Sequence, residues 1–212
     1  MRIAILGAGN VGRALAAVST AAGHTVVLSA GSAGSASSAA ASTGAQAAAS
    51  NAEAVNGADL VVLAVPAGAV AGIVRELGDA FTGKVLVDAT NPLNDTYSDL
   101  TTSGVSAAEQ LQQQVPAASV VKAFNTILAG RHASPTEGGQ PLDAFLAGDD
   151  AAAKGTVGEY AASLGYRVLD AGGLRMARSL EELAFLNISL NATNGWSWQS
   201  AWKLVGPVGQ AA

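Results

Sequence analysis

The chain has 212 residues, no cysteine, 13% charged residues and a formal net charge of −5 at pH 7. Without cysteine there is no disulfide, thiol nucleophile or thiolate metal site, and an acidic, charge-poor chain is a poor match for nucleic-acid phosphates. A chain of this length is expected to fold as one domain with a small appendage, burying roughly 70% of its unfolded surface.

Residues 2–6 are a short continuous apolar run, the pattern of a strand buried on both faces. The run breaks at Gly7 and is too short for a secretion signal. An alanine-rich helix is expected over residues 10–22, with Gly23 as its stop. Residues 25–28 are β-branched and apolar and read as a second strand. Strand, glycine loop, helix and strand follow one another within about thirty residues, which is a βαβ unit.

Residues 29–50 carry no charge and, Gln46 apart, consist of Ala, Ser, Gly and Thr; they predict a surface helix with a short strand near Ala45-Gln46-Ala47, or a partly mobile stretch. Residues 52–56 predict one helical turn, and residues 60–65 a fully buried strand after which Pro66 opens a helix. The apolar run over residues 60–74 falls short of the ~20 residues needed to span a bilayer. A protein that is not membrane-bound, in the cytoplasm, is therefore expected.

Further strands are predicted over residues 84–88, 119–123, 142–147 and 166–169, with helices over 106–114 and from Asp149-Asp150 to about 164. Residues 130–141 read as a loop rich in breakers. No repeat of fixed period is present. The alternation predicts an α/β fold of the Rossmann type: a doubly wound, mostly parallel sheet covered on both faces, with C-terminal helices. The dinucleotide-binding domain is placed at residues 1–172 and a helical segment packed on it at 173–212.

Gly7-Ala8-Gly9-Asn10-Val11-Gly12 leaves a strand and opens a helix. The first glycine permits a tight turn, the second a close approach to a pyrophosphate, and the third close helix–strand packing. The helix start adds free amides and partial positive charge. Gly7, Gly9, Asn10, Val11 and Gly12 are therefore predicted to bind a dinucleotide. The second strand ends Leu28-Ser29-Ala30-Gly31-Ser32. It has neither the carboxylate that selects NAD nor the arginine that selects NADP. Ser29 and Ser32 could donate to a 2′-phosphate, and Arg13 either adds charge or is a plain helix arginine. NADP is the expected cofactor, with NAD open.

Ligands in such sheets sit outside the carboxyl ends of the strands. Val65, Pro66 and Ala67 are expected beside the riboses. Asn91 and Asn125 offer amides near the carboxamide or second substrate, or serve the turns in which they lie. Lys122 and Asn125 either form a pair that polarises a substrate oxygen or Lys122 makes a salt bridge. Catalytic groups proper are not identifiable. His24 and His132 are far apart and not in metal-ligand spacing, so no metal is expected. Asp149-Asp150 reads as a helix cap.

These blocks, with Asp88-Ala89-Thr90-Asn91-Pro92-Leu93, Val121-Lys122-Ala123-Phe124-Asn125-Thr126 and Asp170-Ala171-Gly172-Gly173-Leu174-Arg175, occur in an order that resembles the NADPH-dependent reductases of the deazaflavin coenzyme F-420. The cytosolic domains of the STEAP metalloreductases resemble the same family. The likeness covers nearly the whole chain; the Lys-Ala-Phe-Asn-Thr block and the final segment are its most specific parts. It implies hydride transfer between the nicotinamide C4 and the deazaflavin C5, a reaction that needs stacking and positioning more than an acid or base. A flavin acceptor is the close variant. Members usually carry Ser-Arg after the second strand, where this chain has Ser29-Ala30. The alternatives are a reductase of another small substrate, or a non-catalytic NAD(P)-binding sensor.

In the family the C-terminal segment helps cover the second substrate and contributes to a dimer, so a homodimer is expected here. Leu183, Leu186 and Leu190 form an apolar helical stripe. Trp198 and Trp202 share a face if the helix continues; Trp196 lies just before them. Arg175 and Arg178 pair either with a coenzyme phosphate or with Glu181 and Glu182.

Overall fold

The computed structural model describes residues 1–206. In chain order its elements are β1 (Arg2–Leu6), α1 (Asn10–Ala21), β2 (Thr25–Ser29), α2 (Ala33–Thr43), β3 (Gln46–Ala47), α3 (Asn51–Val55) and β4 (Leu60–Leu63). They continue with α4 (Ala67–Leu77), β5 (Val85–Asp88), α5 (Ala107–Gln114), β6 (Ser119–Lys122), β7 (Thr136–Glu137), β8 (Gln140–Pro141), β9 (Asp143–Gly148), α6 (Ala151–Ser163), β10 (Arg167–Gly172) and α7 (Ala177–Asn194).

Eight strands form one sheet in the order β3-β2-β1-β4-β5-β6-β9-β10, with β7 and β8 a separate hairpin. All pairings in the sheet are parallel except β6 with β9. The expected doubly wound α/β fold is thus present. Its chain order reverses between β1 and β4, the switch point where such sheets open a ligand crevice.

The period of two along each strand assigns the core to two layers. Ile3 and Ile5 face Leu15 of α1 and Val157 and Tyr160 of α6. Ala4 and Leu6 face Ile73 and Leu77 of α4 and Leu111 of α5. All four β1 side chains are fully buried, which contributes roughly 1.5–3 kcal/mol for each large one.

The low-complexity stretch forms α2. Ser32 caps it by accepting from the Ser35 amide, Gly44 ends it at φ +73°, and Ala36, Ala39 and Ala40 are buried at helical spacing. Pro66 stands one residue before α4, at the cap rather than at the first helical position. The predicted breaker loop contains a short 3-10 turn at Ala129–Arg131 and the β7–β8 hairpin. Asp150 caps α6 as expected, while Asp149 accepts from the Leu174 amide.

The largest departure is at the C-terminus. α7 stops at Asn194, where Gly195 takes φ +62°, so Trp198 and Trp202 never share a helix face. Residues 195–206 have no regular structure and fold back along α7. The Trp198 amide donates to Asn191 Oδ1 at 3.1 Å, Ser200 Oγ to Asn187 Oδ1 at 2.6 Å, and Trp202 Nε1 to the Leu183 carbonyl at 3.0 Å. These bonds satisfy the Asn191 and Asn187 side-chain oxygens, while Asn187 Nδ2 has no partner among the described residues. The buried face of α7 is Ala177, Leu180, Glu181, Ala184, Asn187 and Asn191. The leucine stripe lies off that face, and Leu186 is 48% exposed. No helix among the described residues is long and apolar enough to cross a membrane.

Candidate functional site

The glycine loop lies across the switch point. Gly7 has φ +119°, and a Cβ there would collide with the carbonyl of Ala64, the residue after β4. A Cβ on Gly12 would collide with the Gly7 carbonyl. By contrast, a Cβ on Gly9 meets nothing within 4 Å. Two glycines are therefore demanded by the protein's own packing, whereas Gly9 borders open space. α1 has no side-chain cap and no acidic residue in its first turn. Its first amides and partial positive charge stay available to an anion. This arrangement fits a dinucleotide pyrophosphate.

Two hollows flank the loop. One, of about 340 Å³, is bounded by Gly7, Gly9, Ala30, Asn51, Val65 and Pro66. The other, of about 140 Å³, is bounded by Val11, Asn91, Asn125, Leu128, Ala184 and Ile188 among others. The glycine loop divides them as a pyrophosphate divides the two halves of a dinucleotide. Larger hollows of about 670 and 910 Å³ lie beside α7 and between the β7–β8 hairpin and residues 199–206, and neither touches the loop. Asn51, which bounds the first hollow, was concealed by composition, since it follows a monotonous stretch. Ala184 and Ile188 were concealed because nothing local ties α7 to strand ends distant in sequence.

Asn91 Nδ2 donates to the Asn125 carbonyl at 2.9 Å, and Asn125 Nδ2 donates to Asn91 Oδ1 at 3.0 Å and to the Leu180 carbonyl at 2.9 Å. The exits of β5 and β6 are thereby tied to α7. Both asparagines have turn-bracing roles and both line the smaller hollow. The residue before Asn125 is strained: Phe124 sits at φ +65°, which costs of order 1–3 kcal/mol for a bulky side chain. Its ring is held among His132, Tyr160 and Tyr166, with centroids 5.6–6.2 Å away. Packing thus enforces a backbone that Phe124 alone would leave.

His132 belongs to that cluster and is fully buried. Its Nδ1 lies 2.7 Å from the Tyr166 hydroxyl, and its Nε2 has no partner among the described residues. Burial pushes the imidazole down to about 4. The unfolded chain then binds more protons between pH 4 and 6.5. Stability is expected to be level above pH 6.5 and to fall by about 3 kcal/mol as pH drops to 4. His24 is lowered too, by partial burial and then by the N-terminal amine. His132→Phe isolates the larger share: urea midpoints at pH 7 and 4.5 should differ less in the variant than in the parent chain.

Lys122 takes the salt-bridge alternative. Its side chain is 0% exposed, and Nζ donates to Asp88 Oδ2 at 2.9 Å, the Thr90 carbonyl at 2.7 Å and Glu181 Oε1 at 2.9 Å. All three protons are used, so no donor remains for a pair with Asn125 or for a substrate oxygen. Asp88 Oδ1 accepts from the Thr90 amide, and Glu181 accepts from the Ala107 and Ala108 amides at the start of α5. An acid ending an apolar strand and an acid on the buried face of α7 were the available signals for these partners.

Arg178 binds neither Glu181 nor Glu182. It meets Glu109 of α5 through two hydrogen bonds of 2.8 and 2.7 Å. The Arg178 guanidinium holds the Glu109 carboxyl down at about 2. Ser29 is 1% exposed and donates to Asn51 Oδ1 at 2.7 Å, while Ser32 Oγ is occupied in capping α2. Neither hydroxyl is free as expected. Arg13 Nε donates to the Ala8 carbonyl of the loop at 2.9 Å. Among the described residues no group of histidines and acids could hold a metal.

Residues 2–92 match the family described as NADP oxidoreductase coenzyme F420-dependent. The F420-dependent NADP reductase of Methanothermobacter marburgensis is 34% identical over 68% of this chain and 67% of that one. The chain belongs to this family. The crystal structure of a putative F420-dependent NADP reductase from Arthrobacter sp. FB24 is 32% identical, superimposes with a TM-score of 0.82, and covers 92% of this chain and 95% of that one. The Metalloreductase STEAP3 of Rattus norvegicus is 33% identical over 86% of this chain. This chain spans only 36% of the metalloreductase and about two thirds of the archaeal reductase. Membership in a family of NAD(P)H-dependent oxidoreductases accords with the glycine-loop geometry.

Proposed function

We propose that the protein transfers a hydride between NADP(H) and a flat ring acceptor, a deazaflavin such as coenzyme F-420 or a flavin. One observation carries this reading: among the described residues, none that bounds the smaller hollow, beside Val11 of the glycine loop, is titratable. A carbonyl or imine acceptor needs a proton delivered during reduction. A ring that spreads the incoming charge over its own atoms needs alignment and a dry site instead.

The residues divide the work accordingly. Gly7, Gly9 and Gly12 shape the loop, and the amides of Asn10 and Val11 face the pyrophosphate. Val65 and Pro66 wall the adenosine side, with Ala67 beginning α4 beside them. Asn91 and Asn125 brace the nicotinamide side. Val11, Leu128 and Ile188 exclude water. When bound, the nicotinamide supplies the hydride. The absence of cysteine fits a cytoplasmic setting.

Mixing protein, NADPH and coenzyme F-420 should bleach the deazaflavin absorbance. Cofactor binding without turnover of F-420 or a free flavin would sink this reading and favour the non-catalytic sensor. We also propose a homodimer through the outer face of α7. Leu186 on α7, and Trp196 and Trp198 just past its end, remain 46–48% exposed, and large exposed apolar side chains are the kind that mark an interface. Sedimentation should show a dimer that Leu186→Glu converts to a monomer.

A further inference from the structure

Resting on the dinucleotide reading of the cleft, we infer that this chain does not discriminate between NADH and NADPH, because the place where the two cofactors differ is electrically neutral. The cofactors differ only at the adenosine 2′ position. A carboxylate at the end of the second strand grips a free 2′-hydroxyl, and an arginine there grips a 2′-phosphate. Here β2 is followed by Ala30 and Gly31, and among the described residues none that bounds the adenosine hollow carries a charge.

The polar groups nearby are already committed. Ser29 points its hydroxyl inward to Asn51 Oδ1 at 2.7 Å. Asn51 Nδ2 in turn donates to Glu76 Oε2 at 2.8 Å. Ser32 Oγ serves the start of α2. Two charged groups of opposite sign are hydrogen-bonded to residues that bound the hollow. Glu76 reaches it through Asn51, and Arg13 is held by the Ala8 carbonyl with Nη1 3.5 Å from Ser42 Oγ. The start of α2, with no acidic residue in its first turn, favours a phosphate by about two- to fivefold. The Glu76 carboxylate works against that gain. The sum leaves no strong preference.

The test is calorimetric titration of the full chain with NADPH and NADH, without any acceptor. Dissociation constants within tenfold of each other support the inference, and a larger ratio in either direction overturns it. Adenosine 2′,5′-bisphosphate and AMP, as competitors, should show the same near-equality. Ala30→Arg should shift the ratio at least tenfold toward NADPH, and no shift would mean that this strand end does not face the 2′ position. Glu76→Gln should move it severalfold the same way. A strong NADPH preference abolished by Arg13→Ala would identify Arg13 as a phosphate reader and overturn the neutral-site inference. Failure of both cofactors to bind would overturn the dinucleotide reading itself, which separates the two outcomes.

Discussion

Replacing Gly9 with valine is expected to abolish NADPH binding and leave the fold intact. A Cβ at Gly9 meets no protein atom within 4 Å, and its φ of −75° suits any residue. Folding therefore loses little. The added isopropyl group instead fills the approach to the first amides of α1. Each charge-assisted hydrogen bond lost there is worth about 1.5–3 kcal/mol, so two of them cost about 100-fold or more in affinity. Thermal denaturation should show a parent-like melting temperature that NADPH no longer raises. Gly12→Ala supplies the contrast, since its Cβ strikes the Gly7 carbonyl and that variant should melt early. A Gly9→Val variant that binds NADPH normally would place the pyrophosphate elsewhere.

The same three glycines show what was legible before any coordinates. Their spacing behind a strand and before a helix is enough to state the turn, the ligand approach and the close packing, although the atom that Gly7 must clear, the Ala64 carbonyl, lies far along the chain. Strands β1, β4 and β6 were legible because parallel strands buried on both faces are apolar throughout. The C-terminus was not. Helical spacing marked Leu183, Leu186 and Leu190 as an apolar stripe, yet Asn187 and Asn191 are on the buried face of α7. Their burial depends on the Ser200 hydroxyl and the Trp198 amide, which return along the helix after Gly195. Local pattern carries no information about such a return. Lys122 was ambiguous for a related reason. Its partners lie 34 and 59 residues away in the chain, and only the completed sheet brings them together.

That buried lysine also gives the largest expected stability effect. Lys122→Met should destabilise the protein by about 3–5 kcal/mol at neutral pH, because removing one member of a buried ion pair strands the others. Asp88 and Glu181 would both remain, with side chains 2% and 1% exposed and their cation gone. The backbone amides of Thr90, Ala107 and Ala108 offset only part of that cost. Adding Asp88→Asn and Glu181→Gln to Lys122→Met removes the stranded charges. The triple variant should then be more stable than the single one, a non-additivity that urea denaturation can read. A loss below about 1 kcal/mol in the single variant would mean that the three side chains are hydrated and not truly paired. The site should respond as well. Lys122 holds the Thr90 carbonyl next to Asn91, and it holds Glu181 next to the Leu180 carbonyl that accepts from Asn125. Releasing the lysine loosens both asparagines on the nicotinamide side and leaves the adenosine side untouched. NADPH should therefore bind more weakly to Lys122→Met, while an adenosine nucleotide that lacks the nicotinamide half binds as it does to the parent chain.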